Sequence, residues 1–343
     1  MSSSVRRRPL VAALLASATC LGLLTACGEG SGPESSDGGA PAGDGSFPVS
    51  LTTAWGRTEV AEKPVRVATV SDGDTAIALA LGLVPVITPD VEDGDEVAEY
   101  KQRAIDRLGG KKLTTYDDTD GTDYEAIAAE EPDVILGMNT WDMDTDHAKL
   151  SPIAPVVTFA DKKQSDTLTW QERLKTAAKA LGLTEKADAV IAANEKAVTD
   201  AAAAHPEFEG RTYTYSVVHP EQITYMSHAD QDPGVFEALG LRKHPRAKDY
   251  SAEKNGVSLE NLDELESDVL LMTYPFGDEG LLSASELESN KLFQSLDVVK
   301  KKHFAVVPSD NTLASAIAYP DALSAPWVVE NLTPILAKAV AGK

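Results

Sequence analysis

Cysteine is nearly absent. The 343 residues hold two, Cys20 and Cys27, both ahead of the first stretch that could fold. No internal disulfide is then available to the folded body, so its stability has to come from buried apolar surface. No apolar run beyond Leu24 is long enough to span a bilayer. Basic residues are outnumbered, 31 Lys and Arg against 54 Asp and Glu, for a formal net charge of −23. A surface of that sign argues against nucleic acid and against adhesion to anionic lipid head groups. Catalytic signatures are missing as well: there is no G-x-S-x-G elbow, no H-E-x-x-H and no Walker loop. The six histidines, His147, His205, His219, His228, His244 and His303, are scattered without metal-ligand spacing. Nothing here recommends an enzyme, and what remains points to binding.

The stretch that organises the chain is 184–204, which contains neither Gly nor Pro until His205-Pro206. Its Ala, Glu and Lys content favours helix, Thr184 is placed to cap the start, and Ala187, Val190, Ile191, Val198 and Ala201 recur near helical spacing. Such a helix spans on the order of 30 Å, the width of a small domain. The segments on either side of it resemble each other. Before it, Tyr124 to Leu136 runs a short helix into a buried strand through Pro132-Asp133-Val134-Ile135-Leu136. After it, Leu259 to Leu271 does the same, and without gaps Glu125 falls on Glu260, Asp133 on Asp268 and Leu136 on Leu271. Short apolar strands alternating with helices argue for mainly parallel sheets covered on both faces. The expected fold is therefore α/β: two Rossmann-like lobes joined by one long α-helix, with a ligand cleft between them. The expected boundaries are 48–163 for the N-terminal lobe, 164–205 for a helical segment containing the linker 184–204, and 206–343 for the C-terminal lobe.

The N-terminus is read apart from the fold. Arg6-Arg7-Arg8, the apolar run Leu10 to Leu24 and the closing Leu24-Thr25-Ala26-Cys27 resemble a bacterial lipoprotein signal. Residues 1–26 are then a signal peptide, Cys27 is lipidated, and the mature charge becomes −26, since the segment removed carries three arginines and no acid. Residues 27–47, rich in Gly, Ser, Pro and Asp, read as a disordered tether with a reach of roughly 25 Å.

In open parallel sheets ligands bind beyond the carboxyl ends of the strands. After Val134-Ile135-Leu136 come Asn139, Thr140 and Trp141; after Val269-Leu270-Leu271 come Tyr274 and Phe276. Trp141 and Phe276 occupy equivalent loops, one per lobe, and flat aromatic faces suit a bulky, partly apolar ligand. Other strand-end loops add Ser71-Asp72-Gly73, Tyr215, Tyr225, Tyr250 and Asn311. Trp170, on a helix with Leu174 and Leu181, reads as core.

Taken in order, several segments resemble the periplasmic-binding-protein family that serves ABC importers of iron–siderophore complexes and cobalamin. They are Phe47-Pro48-Val49, Trp55 to Val60, Lys63 to Val67, Ala78 to Leu83, Pro132 to Ile135, Leu150 to Val157, and Trp170 with Leu181-Gly182. The resemblance runs from about Phe47 to the C-terminus. It implies two lobes on one long helix with little hinge bending, and no enzymatic activity. It also implies no cofactor of the protein's own, because the ligand carries Fe3+ as a siderophore complex. Family members dock on permease arginines through one glutamate per lobe, and the matching positions are Glu125 and Glu260. Trp141 matches an aromatic that contacts ferric hydroxamates in similar proteins, and Tyr250 roughly matches another. Some hydroxamate binders carry an arginine shortly before the first docking glutamate; here that stretch reads Thr119-Asp120-Gly121. The expectation is a monomer, lipid-anchored at the extracytoplasmic face of a bacterial membrane, that passes a ferric siderophore to an ABC permease. A ferrioxamine-like hydroxamate suits it best. The alternatives are a cobalamin-, haem- or metal-binding lipoprotein of the same kind, or an enzyme or interaction module on a similar scaffold.

Overall fold

The structure, a computed structural model, describes residues 45–90, 97–140, 142–165, 167–227, 234–251, 254–277, 280, 282–287, 289–309 and 312–343. The described chain opens with an antiparallel hairpin, β1 (Val49–Thr53) and β2 (Gly56–Val60), in which Val49 pairs with Val60. A βα alternation follows: β3 (Val67–Thr69), α1 (Asp72–Ala80), β4 (Thr88–Pro89), α2 (Glu99–Arg107) and β5 (Thr115–Tyr116). It continues through α3 (Tyr124–Ala129), β6 (Val134–Leu136), α4 (Met143–Leu150) and β7 (Val156–Val157). Strands β3, β6 and β7 form a parallel sheet in that order, and β4 with β5 extends it through a parallel bridge from Ile87 to Ala68. Strands this short and this apolar, every residue of β3, β6 and β7 buried, fit a sheet covered on both faces.

Two helices lead out of this lobe. A capping box opens α5 (Trp170–Leu181): Thr169 accepts from the Glu172 N–H while Glu172 accepts from the Thr169 N–H. Gly182 closes it in the left-handed region at φ 65°, which costs glycine little. The linker follows as α6 (Thr184–Ala204), with Leu183 rather than Thr184 at its cap position. Ala187 and Ile191, in its first half, belong to the N-terminal core, while Ala197, Val198, Ala201 and Ala202 pack on the C-terminal one. One helix thus inserts a face into each lobe.

The C-terminal lobe repeats the plan with β8 (Thr212–Val218), β9 (Ile223–Tyr225), α7 (Val235–Ala238), β10 (Arg242–Lys243) and β11 (Val269–Thr273). After these come α8 (Lys291–Ser295), α9 (Asp297–Lys300), β12 (Phe304–Val306), α10 (Leu313–Ala318) and α11 (Ser324–Val340). The sheet order is β10-β8-β11-β12, all parallel, with β9 antiparallel on β8. The internal repeat is physical. In each lobe the strand after the repeated helix lies beside the first strand, β6 on β3 and β11 on β8. In each, the aligned aspartate ties down that first strand's start. Asp133 accepts from the N–H groups of Val65 and Arg66 at 2.8 Å, and Asp268 from the Thr212 N–H at 2.8 Å and hydroxyl at 2.9 Å.

A second, non-covalent connection between the lobes was not expected. Helix α2 of the N-terminal lobe lies against the start of α11. Trp327 donates from Nε1 to Glu99 at 2.9 Å, Arg103 meets Glu330 at 2.9 Å, and the Tyr100 and Trp327 rings lie 5.5 Å apart.

Candidate functional site

On the N-terminal side, the loops leaving β3 and β6 are fixed to each other by a buried acid. Ser71 caps α1, accepting from the Asp74 N–H at 3.1 Å and donating to the Asp74 carboxylate at 2.7 Å. The same carboxylate takes the Met138 N–H and the Asn139 Nδ2, both at 2.9 Å. Burial pushes the Asp74 carboxyl above its ordinary value, opposed by these hydrogen bonds. Asn139 is engaged at its other end too: its Oδ1 accepts from Arg173 at 2.6 Å, and Arg173 also donates to Ser165 O and Leu168 O. A Cβ at Gly73 would lie 2.7 Å from the Asn139 Cγ, so this close approach of the start of α1 to the loop after β6 requires glycine. Asn139 therefore holds the loop in place with both ends of its amide.

On the C-terminal side, β8 and β11 end at His219 and at Tyr274 to Phe276. Phe276 is 44% exposed, and its ring centre lies 5.1 Å from that of His219. Tyr274 is buried, with Ser309 donating to its carbonyl at 2.8 Å. Tyr250 stacks flat on Tyr225, centres 4.5 Å apart, and donates its hydroxyl to Glu264. Tyr225 is wholly buried, its hydroxyl 3.0 Å from Thr214. Tyr250 borders a cavity of about 500 Å³ lined only by this lobe, where Arg246 and Lys254 balance Asp249 and Glu264. Tyr215 packs on Phe236 at 5.3 Å inside the core. The structure thus brings Phe276 to a surface at the strand ends and Tyr250 to a cavity wall, and holds Tyr215, Tyr225 and Tyr274 within the lobe. Trp141, Asn311 and Cys27 lie outside the described residues.

Glu125 and Glu260 are both exposed, each in the first turn of the helix that precedes the aligned strand. Asp123 caps α3, whereas the second helix, Leu259–Leu265, is of the tighter 3-10 type and kinks at Asn261.

Comparison with known proteins decides what kind of molecule this is. Residues 67–311 match the family model described as periplasmic binding protein. The chain belongs to the periplasmic binding protein family. Among solved structures, PiaA of Streptococcus pneumoniae TIGR4 in complex with ferrichrome is similar, with 28% identity over 85% of this chain and 99% of that one, at a TM-score of 0.68. Staphylococcus aureus SirA complexed with staphyloferrin B follows at 21% identity over 84% and 98% of the two chains, TM-score 0.64. FhuD2 of Staphylococcus aureus with bound ferrioxamine B has 20% identity over 81% and 100%, TM-score 0.59. The last two establish the fold alone. No curated protein matches the sequence.

A periplasmic binding protein captures its ligand without converting it, so this chain is a binder and not an enzyme. For such a protein the residues that sequence reasoning missed are those around Lys101. Its ammonium is bonded to Asp72 and lies 3.7 Å from Asp321 Oδ2, with 6% of the side chain exposed. The sequence offers no signal for it: a lysine on an amphipathic helix reads as solvated. Among the described residues no helix is long and apolar enough to cross a membrane, and no group of His, Cys, Asp and Glu could hold a metal ion.

Proposed function

We propose that this chain is a lipid-anchored solute-binding protein that captures a ferric siderophore and delivers it to an ABC permease. The observation that carries the reading is the likeness to the ferrichrome complex of PiaA, which extends over 99% of that chain. The site chemistry favours a neutral or cationic hydroxamate, a ferrioxamine for example, over an anionic catecholate. The whole chain has a net charge of −23, and the stretch ahead of Glu125 reads Thr119-Asp120-Gly121, with no arginine. An anionic chelate would meet repulsion where it needs an excess of cations. The siderophore satisfies the iron's coordination, so the protein contributes aromatic surface and hydrogen bonds. Trp141 and Phe276 supply the aromatic faces, one from each lobe, with Tyr250 on the wall of the C-terminal lobe. Cys27 carries the lipid, and Glu125 and Glu260 meet the permease.

Titration of tryptophan fluorescence with ferrioxamine B, ferrichrome, a ferric tricatecholate, haem and cobalamin tests the ligand. The expected result is saturable quenching by the two hydroxamates at the lowest concentrations. Tight binding of the tricatecholate, haem or cobalamin with no hydroxamate response would overturn it.

A further inference from the structure

Helix α2 is amphipathic, and nothing in its sequence marks Lys101 for burial. Taking an ammonium out of water is strongly unfavourable unless fixed counter-charges replace the solvent. Two do so here, and they belong to different lobes. Asp72 opens α1 at the carboxyl end of β3, its side chain 67% exposed, and bonds the Lys101 ammonium. Asp321 is buried in the turn between α10 and α11, with Oδ2 3.7 Å from the same ammonium. Its carboxylate also accepts the Tyr100 hydroxyl at 3.1 Å and the Leu323 N–H at 2.8 Å. On the linker, Asn194 donates to the Ala322 carbonyl at 3.1 Å, so the covalent joint meets the same turn.

We propose that Lys101 is a positioning residue for ligand capture. It couples the start of α1, Ser71 to Gly73, in the N-terminal lobe to the 319–324 turn of the C-terminal lobe, so that a ligand engaging Asp72 changes the state of the turn. The inference rests on the siderophore reading above. One ammonium shared by two carboxylates has two arrangements, and here the closer pairing is to Asp72. A cationic or donor group of a ligand drawn to the exposed Asp72 competes with Lys101 for that carboxylate. The ammonium then moves toward the buried Asp321 and tightens the contact that α2 already makes with the start of α11. A ligand shifts such a balance only by its different affinity for the two arrangements, and the effect is reciprocal: weakening the turn weakens the ligand.

Hydrogen exchange of the full chain, with and without ferrioxamine B, reads the coupling, alongside fluorescence affinities for wild type, Lys101→Met and Asp321→Asn. In wild type the ligand should raise protection of both the 71–80 and the 319–326 segments. In both variants protection should rise at 71–80 only. Affinity should be about tenfold weaker in Asp321→Asn, where the displaced ammonium has no second carboxylate, and should not weaken in Lys101→Met, where nothing competes for Asp72. Asp321→Asn leaves the Asp72–Lys101 pair in place, so the test stands even where Lys101→Met does not fold. Ligand binding with no response at 319–326 in wild type, or an equal response in Asp321→Asn, overturns this inference alone. Failure of wild type to bind any siderophore overturns it together with the ligand reading.

Discussion

The aromatic side chains divide by exposure into two kinds, and mutation should separate them. Phe276 keeps 44% of its surface exposed, so Phe276→Ala should lower the thermal midpoint only slightly while weakening siderophore affinity about tenfold, the value of one aromatic contact. Tyr215→Ala should behave oppositely, costing about 3 kcal/mol of stability through the cavity it leaves against Phe236. Calorimetry with parallel ligand titration distinguishes the pair. A stability loss for Phe276→Ala as large as for Tyr215→Ala would place the ring in the core. Asp268 gives a pH signature. Burial raises its carboxyl, but the Thr212 hydrogen bonds outweigh that and hold it below the ordinary value. A depressed folded pKa means stability that is present above the unfolded value near 4 and lost as pH falls through the folded one. Asp268→Asn should therefore cost about 1 kcal/mol at pH 7, a modest figure because the carboxylate stays exposed to water. In denaturant titrations the deficit should shrink as pH falls below the unfolded value near 4, and a deficit that persists undiminished at the acid end would contradict the account.

Among the elements, the joint between α5 and α6 depends on a backbone conformation. A Cβ on Gly182 would meet the left-handed penalty and would lie 3.0 Å from the Phe47 ring and 3.1 Å from the Gly45 Cα. Gly182→Ala should cost about 1–2 kcal/mol and lower the melting temperature by a few degrees. Ligand affinity should hold, and a scan with no shift would refute the strain. The linker itself was legible residue for residue, because nothing in 184–204 interrupts a helix and His205-Pro206 stops it. The paired strands β6 and β11 were legible for a similar reason: each is a short apolar run after an acid. Their neighbours were less so. Pro64 to Val70 reads as one strand, but only Val67–Thr69 forms ladder, since the Val65 and Arg66 N–H groups turn to Asp133. Val84 to Ile87 also reads as a strand but reduces to a bridge at Ile87, and Lys291 to Val299 reads as one helix but breaks where Leu296 is extended. The strap of α2 on α11 was invisible, because Glu99, Tyr100 and Lys101 find their partners more than two hundred residues downstream. Sequence periodicity reports a helix's own faces and says nothing about a distant helix returning to cover one.

At the scale of the molecule, two lobes of one plan hold their aligned acids in equivalent settings. Glu125 and Glu260 are both exposed at the start of the helix that leads into the aligned strand. On the docking proposal, replacing both with alanine should leave siderophore affinity within about twofold and reduce uptake by cells at least tenfold, in line with the loss of charged contacts at an interface. Equal loss of binding and uptake would show that these acids serve the ligand or the fold. The net negative charge makes the same point at long range: cationic ligands and basic partner surfaces are attracted, and polyanions are not. The most direct test of the central claim is a crystal structure with ferrichrome or ferrioxamine B bound. The iron should lie between the lobes, beyond the carboxyl ends of β3, β6, β8 and β11, coordinated by the siderophore alone. A protein atom coordinating the iron, or a ligand seated wholly in the C-terminal lobe's cavity beside Tyr250, would contradict it.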